Sequence, residues 1–247
     1  MRIQSTTQHF VTGKNGLVVT ALLVAFSALN PGKVNAASII SNPVSGSTEP
    51  TQIFNAPLDG QTSTQNGDFT ITRSGGNSTL GNGIDELTTW GFDFTNAPNL
   101  NKFLNSGRLK FALLTLTLSP KSGLITTDRL GIPGVGSIRV PQIAGIPAVG
   151  KIGTVQLDLL KNGFTSAGIL GSLQSTVGSS IGLGGGQTFT VSNAENVIPF
   201  SYADDSIVSF AQLKLETVPE PTSTLGFLAL GIVGMGSLRR KRQSEIK

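Results

Sequence analysis

Through the middle of the chain, apolar residues recur mostly at every second position, and clusters of Gly, Ser, Asn and Pro interrupt them. Alternation of this kind puts successive side chains on opposite faces of a sheet. Arg108–Ser119 (RLKFALLTLTLS) is the clearest run. Leu109, Phe111 and Leu113 continue into Thr115 and Thr117 on one face, and Ala112, Leu114, Leu116 and Leu118 line the other. Apolar groups on both sides predict a central strand covered on both faces. Pro120 should end it, having no N–H for the ladder. Shorter runs predict strands at Asp68–Arg73, Glu86–Phe94 with a bulge at Gly91, Lys151–Leu160, Gln187–Val191 and Ser206–Glu216. In the last, Ile207 should share a face with Ala211, Leu213 and Leu215, leaving Val208 and Phe210 opposite. Ser201–Asp205 leads into it. Residues 37–66 read as polar loop or sheet edge, with Thr51–Phe54 a short candidate strand. Ser166–Val177 carries one helical stripe, Ile169, Leu170 and Leu173, weakened by its glycines.

These elements amount to about eight short strands, polar turns and little helix, the pattern of an all-β fold. The expected architecture is a two-sheet β-sandwich, jelly-roll-like, flanked by an N-terminal signal peptide and a C-terminal hydrophobic helix. Within it, Gly131-Ile132-Pro133-Gly134-Val135-Gly136 recurs as Gly145-Ile146-Pro147-Ala148-Val149-Gly150. Two copies are too few for a solenoid. They predict a hairpin insertion with matching turns, or else a protruding loop that touches a ligand.

Both ends break the alternation. Arg2 and Lys14 precede the apolar run Leu17–Leu29, Asn30-Pro31-Gly32 stops it, and Val34-Asn35-Ala36 supplies small residues at a cleavage position. Residues 1–36 therefore read as a secretory leader cut after Ala36. At the other end, Val218-Pro219-Glu220-Pro221 and a short Thr/Ser stretch lead into Leu225–Leu238 and then Arg239-Arg240-Lys241-Arg242. At 1.5 Å per residue, Leu225–Leu238 reaches roughly 21 Å, whereas a comfortable membrane crossing takes about 20 residues. A strained transmembrane segment over 225–238 is the expectation, with the basic cluster held in the cytoplasm and the preceding domain, 37–218, facing outward.

The order Pro219-Glu220-Pro221, Gly/Leu-rich segment, Arg239, Arg240, Lys241, Arg242 resembles the PEP-CTERM sorting signal of exported bacterial proteins. The resemblance covers residues 219–247 only. It implies recognition and removal of the tail by an exosortase, a membrane transpeptidase, and an association with extracellular polysaccharide and biofilm-like matrix.

Composition then narrows the chemistry. The formal charge of +4 belongs to the ends, because residues 37–218 hold fewer basic than acidic side chains. Nothing there speaks for a nucleic-acid partner. The chain has no cysteine, and its one histidine is His9, inside the leader. Disulfides, thiolate nucleophiles, a histidine base and ordinary zinc sites are thereby excluded from the mature domain. Asp204 and Asp205, beside the last strand, are the candidate ligands for a structural calcium ion, which takes oxygen donors gathered from loops. They make a poor glycosidase pair, since neighbours in a strand point to opposite faces. Trp90 and Tyr202 are the candidate sugar-stacking rings. Gly184-Gly185-Gly186 lacks the ending of a phosphate loop. The expectation is a non-catalytic exported protein of the envelope or extracellular matrix. It meets the lipid bilayer and a processing enzyme, and is retained at the membrane or outer surface, released, or re-anchored. The alternative is a carbohydrate-binding module of the same fold, associated with extracellular polysaccharide.

Overall fold

Arg108–Ser119 and Ser206–Glu216 are the two longest alternating runs, and they pair with each other. In the computed structural model, which describes residues 36–50, 63–73, 79–123, 128–182, 188–191 and 193–219, they form the backbone of one sheet. The strands among the described residues are β1 (Ser38–Ile40), β2 (Val44–Ser45), β3 (Ser63–Asn66), β4 (Phe69–Arg73), β5 (Glu86–Asp93), β6 (Leu109–Pro120), β7 (Arg129–Ile132), β8 (Gly136–Arg139), β9 (Gly153–Asp158), β10 (Ser179–Gly182), β11 (Thr188–Val191), β12 (Val197–Asp204) and β13 (Ser206–Thr217). Among the described residues two α-helices accompany them, α1 (Leu100–Leu104) and α2 (Ser166–Gln174). One sheet runs β1-β13-β6-β9, with β2 also on β13. The second runs β3-β4-β5-β12-β7-β8, and β10 pairs with β11 apart from both. All these elements belong to one compact unit, Ala36–Pro219.

The core lies between inner faces of the two large sheets. Ala112, Leu114, Leu116 and Leu118 of β6 are fully buried, as are Phe69, Phe92, Phe200 and Tyr202 from the other sheet. On the opposite face of β6, Phe111, Leu113, Thr115 and Thr117 are only half-buried. The expectation of two covered faces is thus corrected: β6 is central by its neighbours, β13 and β9, but only one of its faces is packed.

A second correction concerns β13. Val208 stands opposite Leu118 and Phe210 opposite Thr117, so Ser209 is an extra residue. This bulge changes which parity faces the core. Val208 points inward before it, Ala211, Leu213 and Leu215 after it, and Phe210 is half-buried. Val208, expected opposite Ala211, shares its face. Gly91 makes no bulge, because β5 and β12 stay in unbroken register from Glu86↔Asp204 to Asp93↔Val197. Its lack of a side chain leaves room for Val197 Cγ1, which lies 2.8 Å from where a Cβ would sit.

The expected all-β, jelly-roll-like β-sandwich with a C-terminal hydrophobic helix is overturned. The fold is mixed and its sheets are open paths. Helices supply core that strands do not: Phe103 from α1 and Ile169 and Leu173 from α2 are 0% exposed. Thr165 caps α2, its Oγ1 accepting from Gly168 N–H at 3.0 Å. Ser166 Oγ accepts from Leu109 N–H at 2.7 Å and ties the helix to the start of β6. No helix among the described residues is long and apolar enough to cross a membrane. The transmembrane segment expected at Leu225–Leu238 lies outside those residues and is withdrawn. Its run is shorter than the roughly 20 residues a relaxed crossing takes. Residues 51–62, with the candidate strand Thr51–Phe54, also lie outside the described residues.

Of the repeated Gly/Pro segment, the first copy is the turn of a hairpin, β7 to β8, at the edge of the six-stranded sheet. The second copy forms turns, with Gly145 and Gly150 at φ +83° and +73°, where glycine is unstrained.

Candidate functional site

The loop 80–85 is organised by one carboxylate. Glu86, first residue of β5, turns back into it. Its Oε1 accepts from the N–H groups of Gly81 and Asn82, and its Oε2 from Gly83 N–H at 3.1 Å. Positive φ at Gly81, Gly83 and Asp85 aims these donors at one point. Glu86 is 1% exposed, and burial pushes its carboxyl up to about 7 against the opposing pull of the three N–H donors. Arg73 on β4 and Asp204 on β12 stand across from it in register. A carboxyl that titrates near neutrality is the profile of a general acid. Here the carboxyl is buried, and Gly81, Asn82 and Gly83 of its own loop donate to it. It is a loop anchor.

The residues singled out by sequence are dispersed around that anchor. Asp204 ends β12. Asp205 occupies the bend before β13 and is 7% exposed. Its Oδ2 accepts from Ser122 Oγ, and its Oδ1 from Asp85 N–H at 3.3 Å. Asp205 therefore braces two loops. Among the described residues no three His, Cys, Asp or Glu side chains are grouped to hold a metal.

Trp90 is 5% exposed. Its ring stacks on Phe200 at 5.6 Å and meets Phe69 edge-on at 5.5 Å. Its Nε1 has no hydrogen-bond partner among the described residues. Tyr202 is 0% exposed and donates its hydroxyl to Ser206 Oγ at 2.8 Å. Both rings belong to the core. Open clefts do exist nearby. One of about 430 Å³ is lined by Gly131–Ser137 and Ser180. Another of about 350 Å³ is lined by Asp68, Thr70, Thr89, Thr190 and Pro199, and Trp90 borders it with its ring turned inward.

The exit from the last strand is the other place where chemistry is expected. β13 ends at Thr217, whose side chain is buried. Val218 N–H donates to Arg108 O at 3.0 Å. Pro219 follows, exposed, and as a proline it cannot extend the ladder. Glu220, Pro221 and Arg239, Arg240, Lys241 and Arg242 lie outside the described residues.

Comparison with known families matches residues 217–242 to the PEP-CTERM protein-sorting motif. The motif directs a chain to an exosortase-type enzyme and to an extracytoplasmic destination, and it is a sorting element without catalytic chemistry of its own. It begins on Thr217, the final residue of β13. No curated protein and no solved structure is detectably similar to the chain.

Proposed function

We propose that the chain is a non-catalytic protein of the cell envelope or extracellular matrix. The leader, 1–36, is removed on export, and the body, 37–218, is delivered with its sorting tail attached. An exosortase-type transpeptidase then cuts near Pro219-Glu220-Pro221. The observation that carries this reading is the sorting motif itself, which starts where the last core strand ends. The Arg239–Arg242 cluster attracts an anionic bilayer surface, at about 1 kcal/mol per basic residue, and keeps the tail near the enzyme until the cut. Extracellular polysaccharide is the matrix component with which such a body would be associated.

The body's composition supports a passive role. Glu86, a carboxyl that titrates near neutrality, is buried, and residues 37–218 hold neither cysteine nor histidine. The carbohydrate-binding alternative asks for an exposed aromatic ring, and the two candidates are buried.

Intact-mass measurement of the chain recovered from its native envelope tests the reading. The expected species begins near Ala37 and ends close to Pro219–Pro221. A mature species that still carries Arg239–Lys247 refutes processing.

A further inference from the structure

Residues 37–46 form a ribbon along the outer edge of β13. Thr217 N–H donates to Ala37 O at 2.9 Å. Ala37 N–H donates to Thr217 Oγ1 at 3.0 Å, and that hydroxyl donates back to Ala37 O at 3.2 Å. The pairing continues through Ser38↔Glu216, Ile39↔Leu215 and Ile40↔Lys214. Ser41 N–H donates to Leu213 O and Leu213 N–H to Ser41 Oγ. Val44 and Ser45 pair with Ala211 and Phe210, and Gly46 N–H reaches Ser209 O. On its other side β13 is bonded to β6 over its whole length.

The strand that leads into the sorting tail is therefore closed on both edges. The segment that closes the outer edge is the first stretch after the expected leader cut. A cleaving enzyme needs its substrate segment free of such ladders, so backbone engaged in them is cut only after local opening. Among the described residues the last one held by a backbone hydrogen bond is Val218; Pro219 follows, exposed and without an N–H to extend the ladder.

We propose that the Ala37–Thr217 clamp sets the position of the tail cut. It shields the chain through Val218, so the transpeptidase acts at Pro219 or beyond. Thr217 and the β1 strand are positioning elements for that reaction. The reaction itself breaks one peptide bond in the 219–221 segment. The acyl side passes to an acceptor amine or to water, and the tail leaves with a protonated amine. The same clamp keeps the mature N-terminus hydrogen-bonded beside the new C-terminus. The inference rests on the processing reading above.

The test uses the full chain in its native host, with the C-terminal residue read by intact mass and amide exchange measured on the purified mature protein. Ile39→Asp puts a charge at a buried β1 position remote from the sorting motif in sequence. Thr217→Val removes the clamp hydroxyl with little change of shape, at the first position of the matched motif. A third variant adds Ser38→Cys and Glu216→Cys to Ile39→Asp, so that a disulfide re-pins β1 in a chain with no other cysteine.

Wild type is expected to show a single C-terminus at or beyond Pro219. Ile39→Asp should add species ending upstream of Val218, and the cross-link should remove them. Loss of the two buried hydrogen bonds made by the Thr217 hydroxyl, each worth about fivefold, should speed exchange of the Thr217 amide by roughly 25-fold in Thr217→Val. If Ile39→Asp does not accumulate, Thr217→Val carries both readouts. A processed wild type whose C-terminus and Thr217 exchange are matched by the variants overturns the clamp alone. A wild type that keeps its tail overturns the processing reading, and the proposal with it.

Discussion

Replacing Glu86 with Gln should remove that carboxyl's contribution to the pH dependence of stability between pH 5 and pH 8. Glu86 titrates at about 7 in the folded chain, against 4.5 for an unperturbed glutamate. The folded state therefore binds this proton more tightly than the unfolded state does. Stability is fully present below about 4.5 and declines as pH rises through about 7. At 1.36 kcal/mol per tenfold in affinity, the whole effect is about 3 kcal/mol, of which about 2.5 kcal/mol falls between pH 5 and pH 8. For a body of this size, a kcal/mol moves the melting temperature by about 2–4 °C. The wild-type loss from this group is then about 5–10 °C across that range. The window is clear of histidine in residues 37–218, because the one histidine of the chain is His9.

Glutamine keeps an oxygen for Gly81 and Asn82 but turns an amide N–H₂ toward Gly83 N–H, so absolute stability shifts as well. The diagnostic quantity is the slope. Thermal melts of wild-type and Glu86→Gln forms of the leader-processed chain, at matched ionic strength, measure it. A variant whose melting temperature falls as steeply as wild type would refute the account of Glu86 as a buried, proton-binding anchor.

Two further perturbations separate packing from display. Leu114→Ala should cost about 2–5 kcal/mol because Leu114 has no exposed surface. Leu113→Ala, on the half-buried face of the same strand, should cost about 1 kcal/mol or less, and equal losses in chemical denaturation would reinstate two covered faces. Trp90→Ala should lower stability by about 3–5 kcal/mol, whereas Trp90→Phe should cost far less, since it also deletes a buried N–H without a partner among the described residues. An unchanged melting temperature in Trp90→Ala would mean that the ring is not core.

Strand positions were legible wherever alternation was long and strongly apolar. β6 and β13 fall where the pattern puts them, within a residue or two. The phase of β13 was not legible, because the bulge at Ser209 exists only relative to Leu118 and Thr117 of its partner. β12 was read short because Pro199 interrupts it. That proline is tolerated where β12 has one neighbour, since β7 reaches only Ser201–Ala203. β1 and β2 hold few residues each, and Ser41-Asn42-Pro43 divides them, so no periodicity could reveal them.

Of the candidate site residues, the sorting tail was the most legible, being a contiguous motif. Trp90 and Tyr202 illustrate the opposite: sequence identifies a ring but not the side of the sheet it joins. Glu86 stands at the start of a predicted strand, where a solvated acid is commonplace. Its signal was the preceding Leu-Gly-Asn-Gly-Ile-Asp run, whose glycines allow three N–H groups to converge. The meeting of Ala37 with Thr217 depends on a pairing across nearly the whole body, which no local pattern encodes.

The double-edged bonding of β13 also has a mechanical meaning. A body tethered through its C-terminus and dragged by its surroundings takes the load along the axis of that strand. Antiparallel hydrogen bonds lie across the strand axis, so those joining β13 to β6 on one side and to residues 37–46 on the other are strained together in shear. Pulling the two termini apart at their shared corner would instead peel β1 away one bond at a time. The same ladder is therefore strong toward a tether and weak toward a force on its own loose end.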